Sequence, residues 1–194
     1  GWLGGNTNAQ AFGWFRREIT GVESFRGLKY RMPGWGGQIL SRLGTTVVVL
    51  PGGEIFAALQ SGAVDAAEWV GPYNDLALGF HQVAKLCYSP GYHEPGSSLQ
   101  CYVNKSRYSA LPNDLKMIVK TAIQWGHDDT TGEFMAKSAE AMEVLRTQHG
   151  VRFLVLPRDV LIAIGNASGE FLAETRERAD PLVKRIFDSY LNYR

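Results

Sequence analysis

Residues 45–67 read TTVVVLPGGEIFAALQSGAVDAA, and this stretch decides the fold class of the chain. Thr45 to Leu50 is β-branched and almost entirely apolar, which predicts a strand buried on both faces, as parallel strands between helices are. The Pro-Gly-Gly turn ends that strand, and Glu54 to Ser61 predicts a helix that the next glycine stops. A second strand is predicted at Ala63 to Ala67. Strand, helix and strand in close succession predict an α/β layered fold.

The same alternation extends toward both ends of the chain. Asn8 to Glu18 predicts a short helix, because its apolar residues recur at a helical spacing. Leu28 to Met32 predicts a strand, and Gln38 to Leu43 predicts a helix closed by glycine. Downstream, strands are predicted at Gln82–Tyr88, Leu99–Val103 and Val151–Leu156. Helices are predicted at Pro112–Trp125, Asp129–His149, Pro157–Ala173 and Pro181–Leu191.

Composition excludes several classes of partner. With 194 residues, 45% of them hydrophobic, the chain can bury a real core. The net charge of +1 and the lack of a Lys/Arg run interleaved with aromatics give no reason to expect nucleic acid as a partner. No apolar run reaches the roughly 20 residues of a membrane helix. Residues 1–5 have no basic segment and no apolar core, so we expect no signal peptide in this chain.

Common catalytic motifs are missing from the sequence. No serine lies in a GxSxG turn, and no phosphate-binding glycine motif is complete. The four histidines show no metal-ligand spacing, so each is interpreted as an ordinary surface or core residue; they are His81, His93, His127 and His149. What remains suits a small carboxylate: an arginine at a strand end, an acid next to an aromatic residue, and several amides.

Several blocks of sequence, taken together, are similar to one protein family. They are Gly5–Gln10, Gly13–Ile19, Gly27–Arg31, Leu43-Gly44, Pro51–Ile55, Ala58-Leu59, Asp65–Asp75, Pro90-Gly91 with Glu94, and Asn104-Lys105. In this order they resemble the solute-binding proteins of TRAP transporters over nearly the whole chain. The resemblance is greatest to the subgroup that binds 2-oxo acids and related hydroxy or sugar-type solutes, and the EWVGPY block from Glu68 is its most specific part.

The resemblance implies a periplasmic-binding-protein-like fold, with a mixed sheet flanked by helices and two lobes that close around a solute. Family members are longer at both ends, so the chain is expected to be a C-terminal portion that lacks the N-terminal lobe segment. Roughly residues 20–100 would form the second-lobe α/β core with hinge crossings, and roughly 104–194 a mainly helical remainder. A periplasmic location follows from the resemblance. We also expect a homo-oligomer, because a lobe without its partner leaves an apolar face uncovered.

The resemblance also implies roles for individual residues. Arg31 stands where the family places the arginine that pairs with the solute carboxylate, and a guanidinium can match a carboxylate through two parallel bonds. Glu68 and Trp69 match the pair that helps to hold a cation bridging to the solute, and Gln10 matches an amide that reaches the cleft. Carboxylate and carbonyl oxygens suit a hard ion such as sodium or calcium.

Three further positions have roles that the resemblance specifies less closely. Glu94 is a second candidate for the cation or the solute. Asn104 could contact the solute, yet its place before a helix suits a structural cap equally well. Tyr73 could form a wall of the pocket or could simply pack in the core.

Three functional hypotheses follow. The favoured one is a receptor that captures a small organic acid and delivers it to a TRAP membrane permease without chemistry. The first alternative is an α/β enzyme acting on a small carboxylate, with Glu68 as general base near Arg31, although the sequence offers no convincing second acid or base. The second alternative is a truncated family member that folds and binds nothing.

Overall fold

A computed structural model describes residues 1–193 of the chain, which form one six-stranded sheet, one two-stranded sheet and seven α-helices. The strands are β1 Trp2–Asn6, β2 Gly13–Phe15, β3 Lys29–Arg31, β4 Thr46–Val48, β5 Ala66–Ala67, β6 Leu86–Ser89, β7 Ser98–Cys101 and β8 Arg152–Val155. The helices are α1 Gly34–Ser41, α2 Gly52–Ser61, α3 Pro72–Ala77, α4 Lys105–Ala110, α5 Asn113–Thr147, α6 Arg158–Arg178 and α7 Pro181–Tyr193. Short 3₁₀ helices lie at Val22–Phe25 and Phe80–Gln82.

The large sheet has the strand order β4-β3-β5-β2-β6-β8 and mixes both pairing modes. Strand β3 is parallel to β4 and β5, whereas β2 is antiparallel to both β5 and β6, and β6 is parallel to β8. Strands β1 and β7 form the separate antiparallel pair, which packs against α5. The predicted α/β class with a mixed sheet flanked by helices is therefore confirmed. Because β2 and β8 lie outside residues 20–100, the sheet draws strands from beyond that segment.

Helices cover both faces of the large sheet. Successive strand residues point to opposite sides of the sheet, so each face contributes side chains to its own hydrophobic cluster. One hydrophobic cluster joins the sheet to α1 and α6, and its members include Phe15, Tyr30, Ala66, Leu86, Leu40, Val160 and Ile164. The other joins the opposite face to α2 and to the end of α5, and its members include Trp14, Ala67, Cys87, Ile55, Leu59 and Leu145. The core of the molecule is thus two layers with the sheet between them.

The helix predicted at Asn8 to Glu18 is wrong, because β2 occupies the middle of that segment. All three residues of β2 are buried. The apolar residues of this segment are consecutive because both faces of the strand pack in the core, and not because they share one face of a helix. Gly13 has φ 150°, and a Cβ atom there would lie 2.6 Å from the Tyr30 hydroxyl and 2.7 Å from the Ala67 carbonyl oxygen. This close approach of two neighbouring strands requires glycine.

Two other expectations differ from the structure. Strand β4 lies at the edge of the sheet rather than buried on both faces, and Val49 just after it is 69% exposed. The helices predicted at Pro112–Trp125 and Asp129–His149 are one continuous helix of 35 residues, α5. The remaining predicted strands and helices are present with shifted ends. Within residues 1–193, no helix is both long and apolar enough to cross a membrane.

Candidate functional site

A pocket of about 230 Å³ lies where the carboxyl ends of β3 and β5 meet two loops. It brings together five of the seven residues predicted to bind solute or metal: Gln10, Arg31, Glu68, Trp69 and Glu94. Pro33, Val70 and Ser97 complete its lining. Larger openings, of about 530 and 670 Å³, lie along α7 and along the first part of α5. We take the smaller pocket as the site, because convergent buried polar groups mark a ligand site better than volume does.

The sheet topology explains why Arg31 and Glu68 meet. Arg31 is the last residue of β3, and Glu68 directly follows the parallel strand β5. The Glu68 amide donates to the Arg31 carbonyl at 3.1 Å, which continues the parallel pairing past the end of β5. Carboxyl ends of parallel strands open onto one edge of a sheet, where ligands commonly bind. The two oppositely charged side chains therefore enter the same pocket.

Arg31 and Glu68 form a buried ion pair. The Arg31 Nη1 donates to Glu68 Oε2 at 2.9 Å and to the Glu68 carbonyl at 2.7 Å, and Nε donates to the Leu50 carbonyl at 3.1 Å. The two side chains are only 7% and 5% exposed. Burial lowers the pKa of the Arg31 guanidinium, while the Glu68 carboxylate raises it. The guanidinium also lies 5.3 Å from the centre of the Trp69 ring.

This pairing changes the expected role of Arg31. The three hydrogen bonds use three of the five N–H groups of the guanidinium, and within residues 1–193 the Nη2 group has no hydrogen-bond partner. A carboxylate bound side-on to two guanidinium nitrogens would compete with Glu68 or with Leu50. Nη2 is therefore the donor that remains for a solute.

The amide of Gln10 is held with its oxygen free. Its Nε2 donates to Thr7 Oγ1 at 3.2 Å and to Ser97 Oγ at 2.9 Å. The Ser97 hydroxyl donates to Glu94, so it accepts from Gln10. Gln10 Oε1 is buried and, within residues 1–193, has no hydrogen-bond partner. An orphaned buried carbonyl oxygen in a polar pocket fits a cation ligand.

His93 lies beside this pocket, next to Glu68, and the sequence interpretation missed it. Its side chain is only 7% exposed, and its Nε2 lies 3.6 Å from Glu68 Oε1. Atoms of Glu68, His93 and Glu94 that could bind a metal all lie within 4.8 Å of one another. His93 and Glu94 are adjacent in a loop, and Glu68 is far away in the sequence, so no local sequence spacing predicts that the three residues lie together. The adjacency to Glu94 near a Pro-Gly turn is the one signal that could have found it.

Asp75 holds the backbone that follows Glu68. Its carboxyl group is fully buried and accepts hydrogen bonds from Trp14 Nε1 at 2.6 Å, from the Gly71 amide at 3.2 Å and from the Val70 amide at 3.3 Å. Burial raises the pKa of Asp75 from 3.8 to about 7, and the three hydrogen bonds oppose that shift. Asp75 was not among the predicted site residues, yet it fixes the loop that carries Trp69 and Val70.

Tyr73 and Asn104 lie outside this pocket. The Tyr73 hydroxyl donates to Glu133 at 2.9 Å, and its ring packs edge-on against Phe134, so it joins α3 to α5. Asn104 is the cap of α4, where its Oδ1 accepts from the Arg107 amide at 3.1 Å. Of the two alternatives left open for Asn104, the structure contains the cap.

The pocket offers oxygen ligands for a cation beside a donor for an anion. Carboxylates from Glu68 and Glu94, the Gln10 amide oxygen and the backbone at Trp69 offer the oxygen ligands that hard cations prefer. Two carboxylates beside a bound carboxylate would repel it, and a cation between them removes that repulsion. Arg31, at the end of β3 and beside the end of β5, lies on one side of the same pocket.

Comparisons with known proteins agree with this chemistry. A family model described as DctP, bacterial extracellular solute-binding protein, family 7, matches residues 1–188. A curated protein of Nostoc sp. (strain PCC 7120), named a monocarboxylate 2-oxoacid-binding periplasmic protein, is 39% identical over 190 residues. That alignment covers 98% of this chain and 52% of the relative, so the chain spans about half of the relative's length.

Solved structures of TRAP solute-binding proteins are similar to the chain in fold. One from Colwellia psychrerythraea, with bound calcium and pyruvate, has a TM-score of 0.89 at 38% identity, covering 99% of this chain and 58% of its own. One from Pseudoalteromonas atlantica, with bound sodium and pyruvate, has a TM-score of 0.88 at 36% identity and the same coverages. One from Bordetella bronchiseptica, a mixed-occupancy dimer with copurified calcium and picolinate, has a TM-score of 0.89 at 33% identity, covering 99% and 56%.

Proposed function

Because the chain belongs to family 7 of the bacterial extracellular solute-binding proteins, we propose that it binds a small 2-oxo acid together with a cation in the pocket at the ends of β3 and β5. The single observation that carries this proposal is the buried cluster of Arg31, Glu68 and Gln10, in which one guanidinium nitrogen and one amide oxygen lack protein partners within residues 1–193. A donor for an anion and an acceptor for a cation thus face the same small space.

The size and polarity of the pocket support a solute of a few carbon atoms. About 230 Å³ is below the range of drug-sized sites, and the polar groups lie close together around it. A 2-oxo acid presents a carboxylate and a neighbouring keto oxygen, which can chelate one hard cation while the carboxylate accepts from Arg31 Nη2. Relatives solved with pyruvate and calcium, and with pyruvate and sodium, support the same pairing of acid and ion.

Glu68, Gln10, Glu94 and the backbone of Trp69 would hold the cation, which is calcium or sodium in this proposal. When bound, the cation neutralises the acidic side of the pocket and so permits an anionic solute to bind. The residues of the chain supply the rest: Thr7 and Ser97 orient Gln10, Asp75 holds the loop after Glu68, and Arg31 keeps Glu68 in place.

For the whole protein we propose the role of a TRAP receptor in the periplasm that delivers the acid to a membrane permease. The name of the Nostoc relative and the descriptions of the solved structures support this role. We also propose self-association. Apolar side chains exposed along α5 and α7, and the dimer of the Bordetella relative, support it, and sedimentation analysis at rising concentration tests it.

The receptor hypothesis is favoured over the enzyme hypothesis by the state of Glu68. A general base must be able to move toward a proton of the substrate, whereas the Glu68 carboxylate is fixed by its buried ion pair with Arg31. Proton NMR of pyruvate incubated with the protein and calcium separates the two. We expect broadened or shifted pyruvate signals whose total intensity stays constant, and steady loss of pyruvate with growth of a product would support the enzyme.

Calorimetry with pyruvate in the presence of calcium tests binding itself. Gln10→Leu removes the free amide oxygen at similar volume, and we expect affinity to fall about 10-fold or more, in line with the loss of a charged-group contact. Asn104→Ala is the matched control, since that amide caps α4 outside the pocket and should leave the affinity unchanged. No pyruvate binding by the unmodified chain would favour the non-binding alternative, and equal affinities of all three proteins would place the solute elsewhere.

A further inference from the structure

Several buried polar side-chain atoms within residues 1–193 lack a hydrogen-bond partner, and His93 alone contributes two of them. Its side chain is only 7% exposed, and within residues 1–193 neither ring nitrogen has a hydrogen-bond partner. Leaving a buried polar group unpaired is unfavourable, so native structures seldom do so without a reason such as a bound ion or water. The hard-cation site proposed above does not use imidazole, because calcium and sodium prefer oxygen ligands.

The separation between His93 and Glu68 indicates what could lie between them. The distance from Nε2 to Oε1 is 3.6 Å, which is too long for a hydrogen bond. Two ligands on one tetrahedral zinc ion, each about 2.0–2.2 Å from the metal, are roughly 3.3–3.5 Å apart. The observed gap therefore matches two ligands of a shared ion within a few tenths of an ångström. A ligand atom of Glu94 lies within 4.8 Å of both.

We propose that His93 Nε2, Glu68 Oε1 and a Glu94 carboxylate oxygen form a mixed nitrogen and oxygen site for a zinc-class transition metal ion. Three protein ligands leave a coordination position open to water or to an anionic solute. The two oxygens of Glu68 have different neighbours: Oε2 accepts a hydrogen bond from Arg31, and Oε1 faces His93. An imidazole ligand shifts metal preference from calcium toward zinc, cobalt and nickel.

The packing around His93 fixes the ring at this position. A Cβ atom added at Gly36 would lie 2.8 Å from His93 Cβ, so α1 closes off the back of the residue. The Tyr92 ring lies 5.6 Å away at an interplanar angle of 71°. Within residues 1–193, Nδ1 has no acceptor to orient the imidazole, and loss of such a partner typically weakens metal binding 10–100-fold. We therefore expect a site weaker than structural zinc sites.

This site shares Glu68 and Glu94 with the proposed hard-cation site, so the two classes of ion should compete. A zinc-class ion would use His93, whereas calcium or sodium would use Gln10 Oε1 and the Trp69 backbone. The inference adds to the proposed function, but its test uses metal ions alone. Failure to bind pyruvate would overturn the proposed function and leave this inference standing.

The experiment titrates the tag-free chain with Zn²⁺, Co²⁺ and Ca²⁺ by calorimetry and follows Co²⁺ by its visible absorption. We expect Zn²⁺ to bind more tightly than Ca²⁺ and to be displaced only by excess Ca²⁺. His93→Gln should weaken Zn²⁺ and Co²⁺ binding about 10-fold or more, while Ca²⁺ affinity changes by less than about two-fold because calcium does not depend on imidazole. His149→Gln, a histidine outside the pocket, should leave all three affinities unchanged.

A second measurement needs no variant and so does not depend on the fold of a mutant. In a ¹⁵N-resolved NMR spectrum of the histidine side chains, Zn²⁺ should shift the His93 Nε2 resonance more than any other imidazole nitrogen. Two results would overturn the proposal: Zn²⁺ affinity no greater than that of Ca²⁺, or strong Zn²⁺ binding that leaves the His93 nitrogen resonances in place. Zn²⁺ and Co²⁺ binding that His93→Gln does not weaken would overturn it as well.

Discussion

The sheet and the long helix α5 differ sharply in how their residues are packed. Trp14 and Tyr30 in the sheet are fully buried between two layers of helices, whereas of the 35 residues in α5 only Ala141 and Leu145 are buried. Trp125, on α5, is 68% exposed. All five predicted residues that line the pocket lie at the sheet end of the molecule. A buried ion pair such as Arg31–Glu68 needs surroundings that hold its geometry, and only the packed region provides them.

Substitution of the two tryptophans tests this contrast most strongly. Trp14→Ala should lower the free energy of unfolding by about 3–5 kcal/mol, because it leaves a cavity in the core and removes the hydrogen bond to Asp75. For the monomer at low protein concentration, Trp125→Ala should change it by no more than about 0.5 kcal/mol, because the ring is then mostly in solvent. Urea denaturation measures both. Similar losses for the two variants would mean that α5 is packed as firmly as the sheet.

The pH dependence of stability should reveal the contribution of the buried Asp75 carboxyl group. Its folded-state pKa of about 7 is above the ordinary 3.8, so its contribution to stability is fully present below pH 4 and is lost as the pH rises through 7. The loss is on the order of 4 kcal/mol. Asp75→Asn should remove this component of the profile between pH 4 and 8, and Asp114→Asn at the exposed start of α5 is the control. Parallel profiles for the unmodified chain and Asp75→Asn would contradict the assignment.

Arg31→Lys sharpens the comparison at the pocket. An ammonium group cannot contact Leu50, Glu68 and a solute in the geometry of the guanidinium, and each charge-assisted contact contributes about 1.5–3 kcal/mol. We expect pyruvate affinity to fall about 10-fold or more by calorimetry with calcium present. Arg42→Lys is the control, because Arg42 pairs with Glu174 at the surface between α1 and α6. Unchanged affinity for Arg31→Lys would remove Arg31 from the site.

The smallest effect is expected where the end of α5 meets the sheet region. The rings of His81 and His149 lie 4.1 Å apart, and burial lowers the pKa of His81 below its ordinary 6.5, with His149 and Lys85 adding to that shift. A lowered folded-state pKa means that this contribution is present above pH 6.5 and is lost as the pH falls. His81→Gln should flatten the decline of the melting temperature between pH 7 and 5. A decline of the same size in both proteins would contradict this.

The sequence predicted those parts of the fold that depend on local chemistry. The break after β4 at Pro51, the α2 helix and the glycine that ends it were predicted from residues 45–67 alone, although the helix begins at Gly52 rather than at Glu54. The strand β2 was mistaken for a helix, because a strand buried on both faces has no alternation to reveal it. The edge position of β4 depends on which strands lie beside it, and that order is not written in any local pattern.

In the candidate site, too, some features could be predicted from the sequence and others depend on tertiary structure. Arg31, Glu68 and Gln10 were predicted because their surrounding blocks resemble a family, and the sheet brings them together. The partners of Arg31 were not predictable, because the Leu50 carbonyl and Glu68 approach it only through the order of β4, β3 and β5. His93 was missed because its relation to Glu68 is purely tertiary. The role of Asp75 likewise depends on Trp14, which is distant in sequence.

The most direct test of the central claim is the thermodynamic coupling between cation and 2-oxo acid. Pyruvate affinity is measured by calorimetry in calcium and in chelator, and calcium affinity is measured with and without pyruvate. If Glu68 and Gln10 hold a cation that contacts the solute, each ligand should strengthen the other by the same factor, roughly 5–150-fold, and Glu68→Gln should weaken both. Equal pyruvate affinity in calcium and in chelator would contradict the shared site.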